Sequence, residues 1–178
     1  YEAYGVDILR QYLGMISESG ETYLWYFPDG TPASVETSTS PEASATDGWG
    51  SSAMLYALIE GVAGVEDEHR SFERVRLSPR WEAAGVARAE VELGYAGSGS
   101  GFGYRYEKSD GEIGLEFTGD ASMVTCHVLL PGESGVTFVR QGDAELEFTG
   151  VTVEASRYVD FIISDPGAGA VTIAYSGE

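Results

Sequence analysis

Aromatic and acidic side chains are concentrated in one part of the chain, between residues 23 and 49. The aromatic residues are Tyr23, Trp25, Tyr26, Phe27 and Trp49, and the acidic residues between Phe27 and Trp49 include Glu36, Glu42 and Asp47. Sugar rings stack flat C–H faces on aromatic rings, and carboxylates accept hydrogen bonds from their hydroxyls. Two interpretations stay open: a carbohydrate-binding surface, or an aromatic core with acids on a solvated face. Spacing alone favours the second.

Other reactive residue types do not support a metal, phosphate or nucleophile site. His69 and His127 stand apart from further ligand residues, and Cys126 lies in an apolar run where we expect a buried side chain. The glycine-rich segment 97–103 lies between two predicted strands rather than before a helix, so it is predicted to be a hairpin. No Gly-x-Ser-x-Gly elbow is present. We therefore expect no cofactor and no metal.

The charge balance argues against anionic partners. The chain has 178 residues, with 29 acidic against 10 basic ones, a net charge of −19, and Lys108 as its single lysine. Binding to nucleic acid or to an anionic membrane needs cationic patches, so neither partner is expected. The acidity is compatible with an ordinary solvated surface or with adaptation to high salt, which screens the mutual repulsion of carboxylates.

The hydrophobic pattern predicts two helices before residue 70. Residues 4–19 carry apolar side chains at spacings of three and four, as in an amphipathic helix. Residues 31–47 form a predicted long loop rich in Ser, Thr and Pro. A second helix follows, capped by Ser51 or Ser52, and it is apolar nearly all round.

After residue 70 the apolar period changes to two, which predicts β-strands. The predicted strands are 72–79, 87–96, 102–108, 112–119, 122–131, 135–142, 144–150, 151–155, 157–164 and 170–176. With no helix between them, an antiparallel β-sandwich is expected rather than a parallel sheet. The predicted fold class is α+β, with a helical part at 1–70 and a β-sandwich domain at 71–178.

The two predicted helices expose more apolar surface than one sandwich face can cover. A second chain must then supply the missing surface, or the chain must be part of a larger protein. The sequence opens at Tyr1 rather than Met, so we expect a processed chain or a fragment.

Three segments carry a resemblance to a known family. They are Gly48–Trp49–Gly50, the "EGVAGV" stretch at 60–65 and "VRLSPRW" at 75–81. Together they resemble the end of the catalytic barrel in (α/α)6-barrel glycoside hydrolases, the group of α-L-rhamnosidases, trehalases and GH63-like glucosidases. In that group a Gly-Trp motif opens the last barrel helix, and a strand then leads into a C-terminal β-sandwich. The resemblance extends over roughly residues 4–135 and identifies the two helices as the last of twelve.

The resemblance implies an inverting hydrolase, in which one carboxylic acid protonates the leaving oxygen and a second carboxylate activates water. The family's acid lies upstream of the final helices, so this chain alone is expected to be inactive. The base commonly follows a tryptophan in the loop before the last helix, where this chain has Tyr26; Glu36 is the candidate that remains in the loop.

An oligosaccharide or glycoside is the expected ligand, and the expected partner is the rest of the barrel or another chain covering the helices. The predicted sugar-binding residues are Trp49, Trp25, Tyr23 and Asp47. Two other functions stay open: a non-catalytic carbohydrate- or partner-binding module, and a purely structural acidic domain.

Overall fold

A computed structural model describes residues 2–34, 46 and 48–177 of the chain. The fold is α+β, with two helices followed by two sheets in which antiparallel pairing predominates. The chain divides into two compact units, residues 1–58 and 59–178. The domain boundary at residue 70, which rests on the change of hydrophobic period, stays a prediction.

The first unit contains the two helices. Helix α1 spans Glu2–Ser19 and ends at Gly20, whose amide donates to the Ile16 carbonyl at 2.7 Å. Gly20 has a positive φ of 76°, which ends the helix as the sequence predicts. Helix α2 spans Gly48–Tyr56 and passes into a π-helical segment at Ala57–Val62.

The predicted cap of α2 at Ser51 or Ser52 is wrong. The helix begins three residues earlier, at Gly48, so Ser51 lies in its first turn. The Ser51 hydroxyl is instead 2.8 Å from the Thr22 hydroxyl and forms a hydrogen bond with it. Gly50 allows this close packing, because a Cβ at that position would overlap the Tyr12 hydroxyl of α1.

Many large apolar side chains of the first unit are exposed. Val6 is the one buried residue of α1 and Met54 the one buried residue of α2. The exposed set comprises Tyr4, Ile8, Leu13, Leu24, Phe27, Trp49, Leu55, Tyr56 and Leu58. Neither helix is long and apolar enough to span a membrane, nor is any other helix among the described residues.

The second unit contains eleven strands in two sheets. They are β1 Val65–His69, β2 Arg74–Leu77, β3 Arg88–Gly94, β4 Gly101–Ser109, β5 Glu112–Gly119, β6 Met123–Leu129, β7 Gly135–Gln141, β8 Ala144–Glu145, β9 Phe148–Val153, β10 Ser156–Ile163 and β11 Val171–Ser176. The five-stranded sheet has the order β1-β2-β6-β10-β9, and the six-stranded sheet has the order β3-β4-β5-β11-β7-β8.

Two features of these sheets differ from the prediction. Strand β1, with the sequence "VEDEH", was not predicted, because an edge strand anchored by one buried residue, Val65, shows little alternation. The pairing of β2 with β6 is parallel, with Val75 opposite Val124, whereas the other strand pairs are antiparallel. A parallel pair requires a long connection, and the chain passes through β3, β4 and β5 of the other sheet between β2 and β6.

Both sheets contribute to one apolar core. The five-stranded sheet supplies Val75, Leu77, Val124, Cys126, Val128, Val159, Phe161 and Ile163, and the six-stranded sheet supplies Phe102, Tyr104, Tyr106, Ile113, Leu115, Val139, Val171 and Ile173. These residues alternate along their strands with more exposed ones, which is the period-two pattern read from the sequence. Side chains on the opposite face of the five-stranded sheet are therefore free to form a site.

Candidate functional site

The predicted aromatic cluster of the first unit forms a compact turn. The Trp25 and Phe27 rings meet edge to face with centroids 4.5 Å apart. The Tyr26 ring makes similar contacts with Tyr23 at 5.8 Å and with Tyr12 of α1 at 5.9 Å. Edge-to-face packing is favourable for aromatic rings, so this cluster fixes the turn onto α1. Tyr23 and Trp25 stay half-buried.

Trp49 stands apart from that cluster. It lies in the first turn of α2, its side chain is 81% exposed, and its indole makes no hydrogen bond or ring contact with another described residue. Thus Tyr23 and Trp25 belong to one turn, while the structure gives no direct contact between them and Trp49. A tryptophan with this exposure contributes little packing of its own and is available to a ligand or partner.

A polar pocket of about 390 Å³ lies next to the start of α2. Its lining residues are Glu21, Thr22, Thr46, Gly48 and Ser51, all within the first unit. Tyr23 and Thr46 form an antiparallel bridge that holds two of its walls together. Gly48 directly precedes Trp49, so hydroxyl and carboxylate groups line a pocket next to an exposed indole.

Glu36 and Asp47, the predicted base and one predicted sugar ligand, lie outside the described residues, as does Glu42. Their roles therefore stay predictions. Thr46 and Gly48, which flank Asp47 in the sequence, both line the polar pocket.

A cavity that was not predicted lies in the second unit. It has a volume of about 1010 Å³ and is called here the sheet groove. The groove lies along β2, β6 and β10 of the five-stranded sheet, and its lining includes Arg76, Thr125, His127, Asp160, Ile162 and the chain segment 145–149. That segment connects β8 of one sheet to β9 of the other.

A histidine–aspartate pair lies in the sheet groove. His127 and Asp160 are direct partners in the register of β6 and β10, and the His127 Nδ1 atom is 2.5 Å from the Asp160 Oδ1 atom. The imidazole also stacks on the Tyr158 ring, with centroids 4.0 Å apart and an angle of 13° between the planes. His127 is isolated in the sequence because Asp160 is 33 positions away, and only the strand register brings the two residues together.

A smaller side pocket of about 220 Å³ adjoins the sheet groove and shares Arg76 and His127 with it. Arg76 is paired with Glu66 on β1, and this hydrogen bond raises the pKa of Arg76. Arg80 donates to the carbonyls of Gly61 at 2.9 Å and Ser78 at 3.2 Å. Arg80 thereby binds a carbonyl of the π-helical segment.

The buried thiol and two buried tyrosine hydroxyls of the second unit belong to residues of its core. Burial raises the pKa of the Cys126 thiol and of the Tyr104 and Tyr106 hydroxyls above their ordinary values. A thiol with a raised pKa is a poor nucleophile, so Cys126 is a packing residue, as the sequence predicts. No group of three or more His, Cys, Asp or Glu side chains within the described residues is arranged to hold a metal.

Similarity to known proteins is found among solved structures, but not among family models or curated sequences. No protein-family model matches this chain, and no curated protein matches it. Among solved structures, the chain is similar to a GH31 dextranase of Flavobacterium johnsoniae complexed with glucose, with 13% sequence identity and a TM-score of 0.40. The similarity covers 60% of this chain and 17% of that chain, so this chain matches about a sixth of the dextranase. The assignment to an (α/α)6 barrel stays a prediction.

Proposed function

We propose that this chain is part of a carbohydrate-active protein and that its first unit forms one wall of a sugar-binding site. The observation that carries the proposal is the exposed indole of Trp49 next to the polar pocket. Sugar sites combine a flat aromatic surface for C–H groups with polar groups for hydroxyls. The polar pocket offers the hydroxyls of Thr46 and Ser51 and the carboxylate of Glu21.

The half-buried aromatic turn supplies a second part of the proposed wall. Tyr23 is bridged to Thr46, which lines the pocket, and Trp25 is held by its edge-to-face contact with Phe27. Rings that are fixed before the ligand arrives lose little conformational entropy on binding. Asp47 is proposed as a further hydroxyl-binding residue of this wall.

The finer proposal is that the whole protein is an inverting glycoside hydrolase. Glu36 is the proposed general base that activates water, and the general acid comes from a part of the protein outside these 178 residues. In this proposal the second unit acts as a stabilising β-sandwich. The exposed apolar side chains of α1 and α2 are covered by the remainder of a helical barrel or by a partner chain.

A calorimetric titration tests the proposed sugar site. The full chain is titrated with maltotriose, cellotriose and a mannotriose, first as wild type and then as Trp49→Ala. Loss of one stacking contact is expected to weaken binding about tenfold, since such contacts contribute up to about 1.5 kcal/mol.

Tyr56→Ala is the matched control, because Tyr56 is an aromatic residue of the same helix with 63% exposure. It lies seven residues from Trp49, or about 10 Å along the helix axis, and its loss should leave affinity unchanged. An equal loss in both variants, or no binding by the wild type, would overturn the proposal. Binding that survives in Trp49→Ala would favour a carbohydrate module that uses another surface.

A further inference from the structure

We propose that the sheet groove of the second unit is a separate binding site for a neutral, hydroxylated ring ligand, a saccharide of about two sugar units, with His127 as its central hydrogen-bonding residue. The groove is formed entirely by residues 76–162, so it is complete without the first unit. Its volume of about 1010 Å³ is at the upper end of the range of small-molecule sites.

The His127 ring is held in one orientation. Its Nδ1 atom faces Asp160 at 2.5 Å, and its plane lies against Tyr158 with centroids 4.0 Å apart. Because a carboxylate only accepts hydrogen bonds, Nδ1 carries the proton in this pair. The Nε2 atom is then the nitrogen left for a ligand, and it has no hydrogen-bond partner among the residues that the structure describes.

His127 lines both the sheet groove and the side pocket, as does Arg76. A ligand that extends from the groove into the side pocket therefore passes these two side chains. The Ser78 hydroxyl, on the side-pocket wall, is buried and has no hydrogen-bond partner among the described residues. A buried hydroxyl without a partner loses free energy, and a hydroxyl group of a ligand or a water in the side pocket would satisfy it.

The mixture of charges in the lining selects the ligand class. Arginines and carboxylates line both spaces. They are Arg76, Glu145, Glu147 and Asp160 in the groove, and Arg76, Arg80, Glu60 and Glu66 in the side pocket. An anionic ligand would meet the carboxylates and a cationic ligand would meet the arginines, so either ion encounters like charge. A sugar hydroxyl both donates and accepts, which lets it satisfy guanidinium, carboxylate and imidazole groups alike.

Apolar side chains in the same lining supply surface for the C–H groups of a ring. Phe148 and Ile162 are exposed at the groove, and Leu146 packs partly against the core. The sugar class of this site rests on the proposed function, whereas the site itself rests on the groove and the His127–Asp160 pair. The test must therefore report the two units separately.

Nuclear magnetic resonance of the two histidine rings in the full chain provides that test. The probes are maltose, cellobiose and lactose, with glucuronic acid as the anionic and spermidine as the cationic comparison. We expect a neutral disaccharide to shift the ring signals of His127 and leave those of His69 in place. His69, on the edge strand β1, is the internal control. It pairs with Glu73 and lines neither the groove nor the side pocket.

Three variants separate the possible outcomes. His127→Gln is expected to weaken disaccharide binding at the groove up to about tenfold, as expected for loss of one hydrogen bond, while His69→Gln leaves it unchanged. Trp49→Ala should leave the His127 shift intact, so a failure of the first-unit site does not hide the second. An unmoved His127 ring would overturn the site, and a shift caused only by glucuronic acid or by spermidine would overturn the ligand class.

Discussion

The two units of this chain differ in how they treat apolar side chains. In the second unit, alternating strand residues from both sheets fill one core, and residues such as Leu77, Val124 and Ile173 are fully buried. In the first unit, the large apolar residues of α1 and α2 are mostly exposed or half-buried, and Val6 and Met54 are the buried ones. Burial of apolar surface is the main source of folding free energy, so the two units cannot depend equally on their own side chains.

This difference indicates that the second unit is stabilised by its own core and that the first unit is suited to contacts with other molecules. A sheet that buries one face can carry a binding site on the other, as the sheet groove does. Helices that leave apolar surface uncovered are suited to association, which agrees with the proposed covering by a barrel or partner chain. The contrast between a buried core and exposed helices can be tested by substitution.

The largest expected effect is on stability and uses one substitution at two positions. Leu77→Ala on β2 removes a side chain that is 0% exposed, and it should lower the free energy of unfolding by about 2–5 kcal/mol. Leu13→Ala on α1, where the side chain is 47% exposed, should change it by about 0.5 kcal/mol or less. Urea unfolding of the full chain measures both. Equal losses would mean that the contrast between the units is wrong.

A second large effect is expected at Gly64, where two backbones meet. Gly64 has a φ of 72°, its carbonyl accepts from the Ser78 amide at 2.7 Å, and a Cβ there would overlap the Ser78 carbonyl. Gly64→Ala should cost at least about 2 kcal/mol, because strain and overlap add.

Gly61→Ala is the control for Gly64→Ala, since a Cβ at Gly61 meets nothing within 4 Å. Alanine there should leave stability unchanged or raise it by about 0.5–1 kcal/mol. Thermal unfolding of both variants compares them. A mild effect at Gly64 would contradict the close approach of the two segments.

Two tyrosines of β4 provide a test of polar groups inside the core. Both are 1% exposed, but the Tyr104 hydroxyl donates to the Ala63 carbonyl at 2.5 Å and accepts from the Trp81 indole at 2.8 Å. Tyr104→Phe should therefore destabilise the protein by about 1–3 kcal/mol.

The Tyr106 hydroxyl has no hydrogen-bond partner among the described residues. Tyr106→Phe should thus be neutral or stabilising, because it removes a buried polar group that gains nothing from folding. Chemical denaturation at pH 7 measures the difference between the two variants. The reverse order of stabilities would show that the core is packed differently.

Stability is expected to fall at alkaline pH. Burial raises the folded-state pKa values of Cys126, Tyr104 and Tyr106, so these groups stay neutral in the folded chain. In the unfolded chain the cysteine ionises above about pH 8.5 and the tyrosines above about pH 10. Their contribution is complete below those values and is lost as the pH rises, by at most about 1.4 kcal/mol per pH unit for each group. The urea midpoint should decrease from pH 8 to 10.5, and the decrease between pH 8.5 and 10 should be smaller in Cys126→Ala. A constant midpoint would contradict the burial of these groups.

Local patterns predicted both helices and most strands, but not the edge strand β1 or the candidate site in the second unit. The period-two alternation around Val75 and Leu77 identifies a strand directly, and Gly20 marks the end of α1. The pairing of His127 with Asp160 depends on the register of β6 and β10, which no local pattern contains. The start of α2 was misplaced because Ser51 has the residue type of a cap but bonds to Thr22, another long-range partner.

The most direct test of the central claim uses the indole N–H signals of the three tryptophans, Trp25, Trp49 and Trp81. Trp81 is the internal control, since its indole is already bonded to Tyr104 in the second unit. The signals are assigned with Trp49→Phe and followed in the full chain during titration with maltotriose, cellotriose and mannotriose. We expect at least one sugar to shift the Trp49 signal most and the Trp25 signal less, while the Trp81 signal stays in place. A stationary Trp49 signal at saturating concentrations of all three sugars would contradict a sugar site at Trp49.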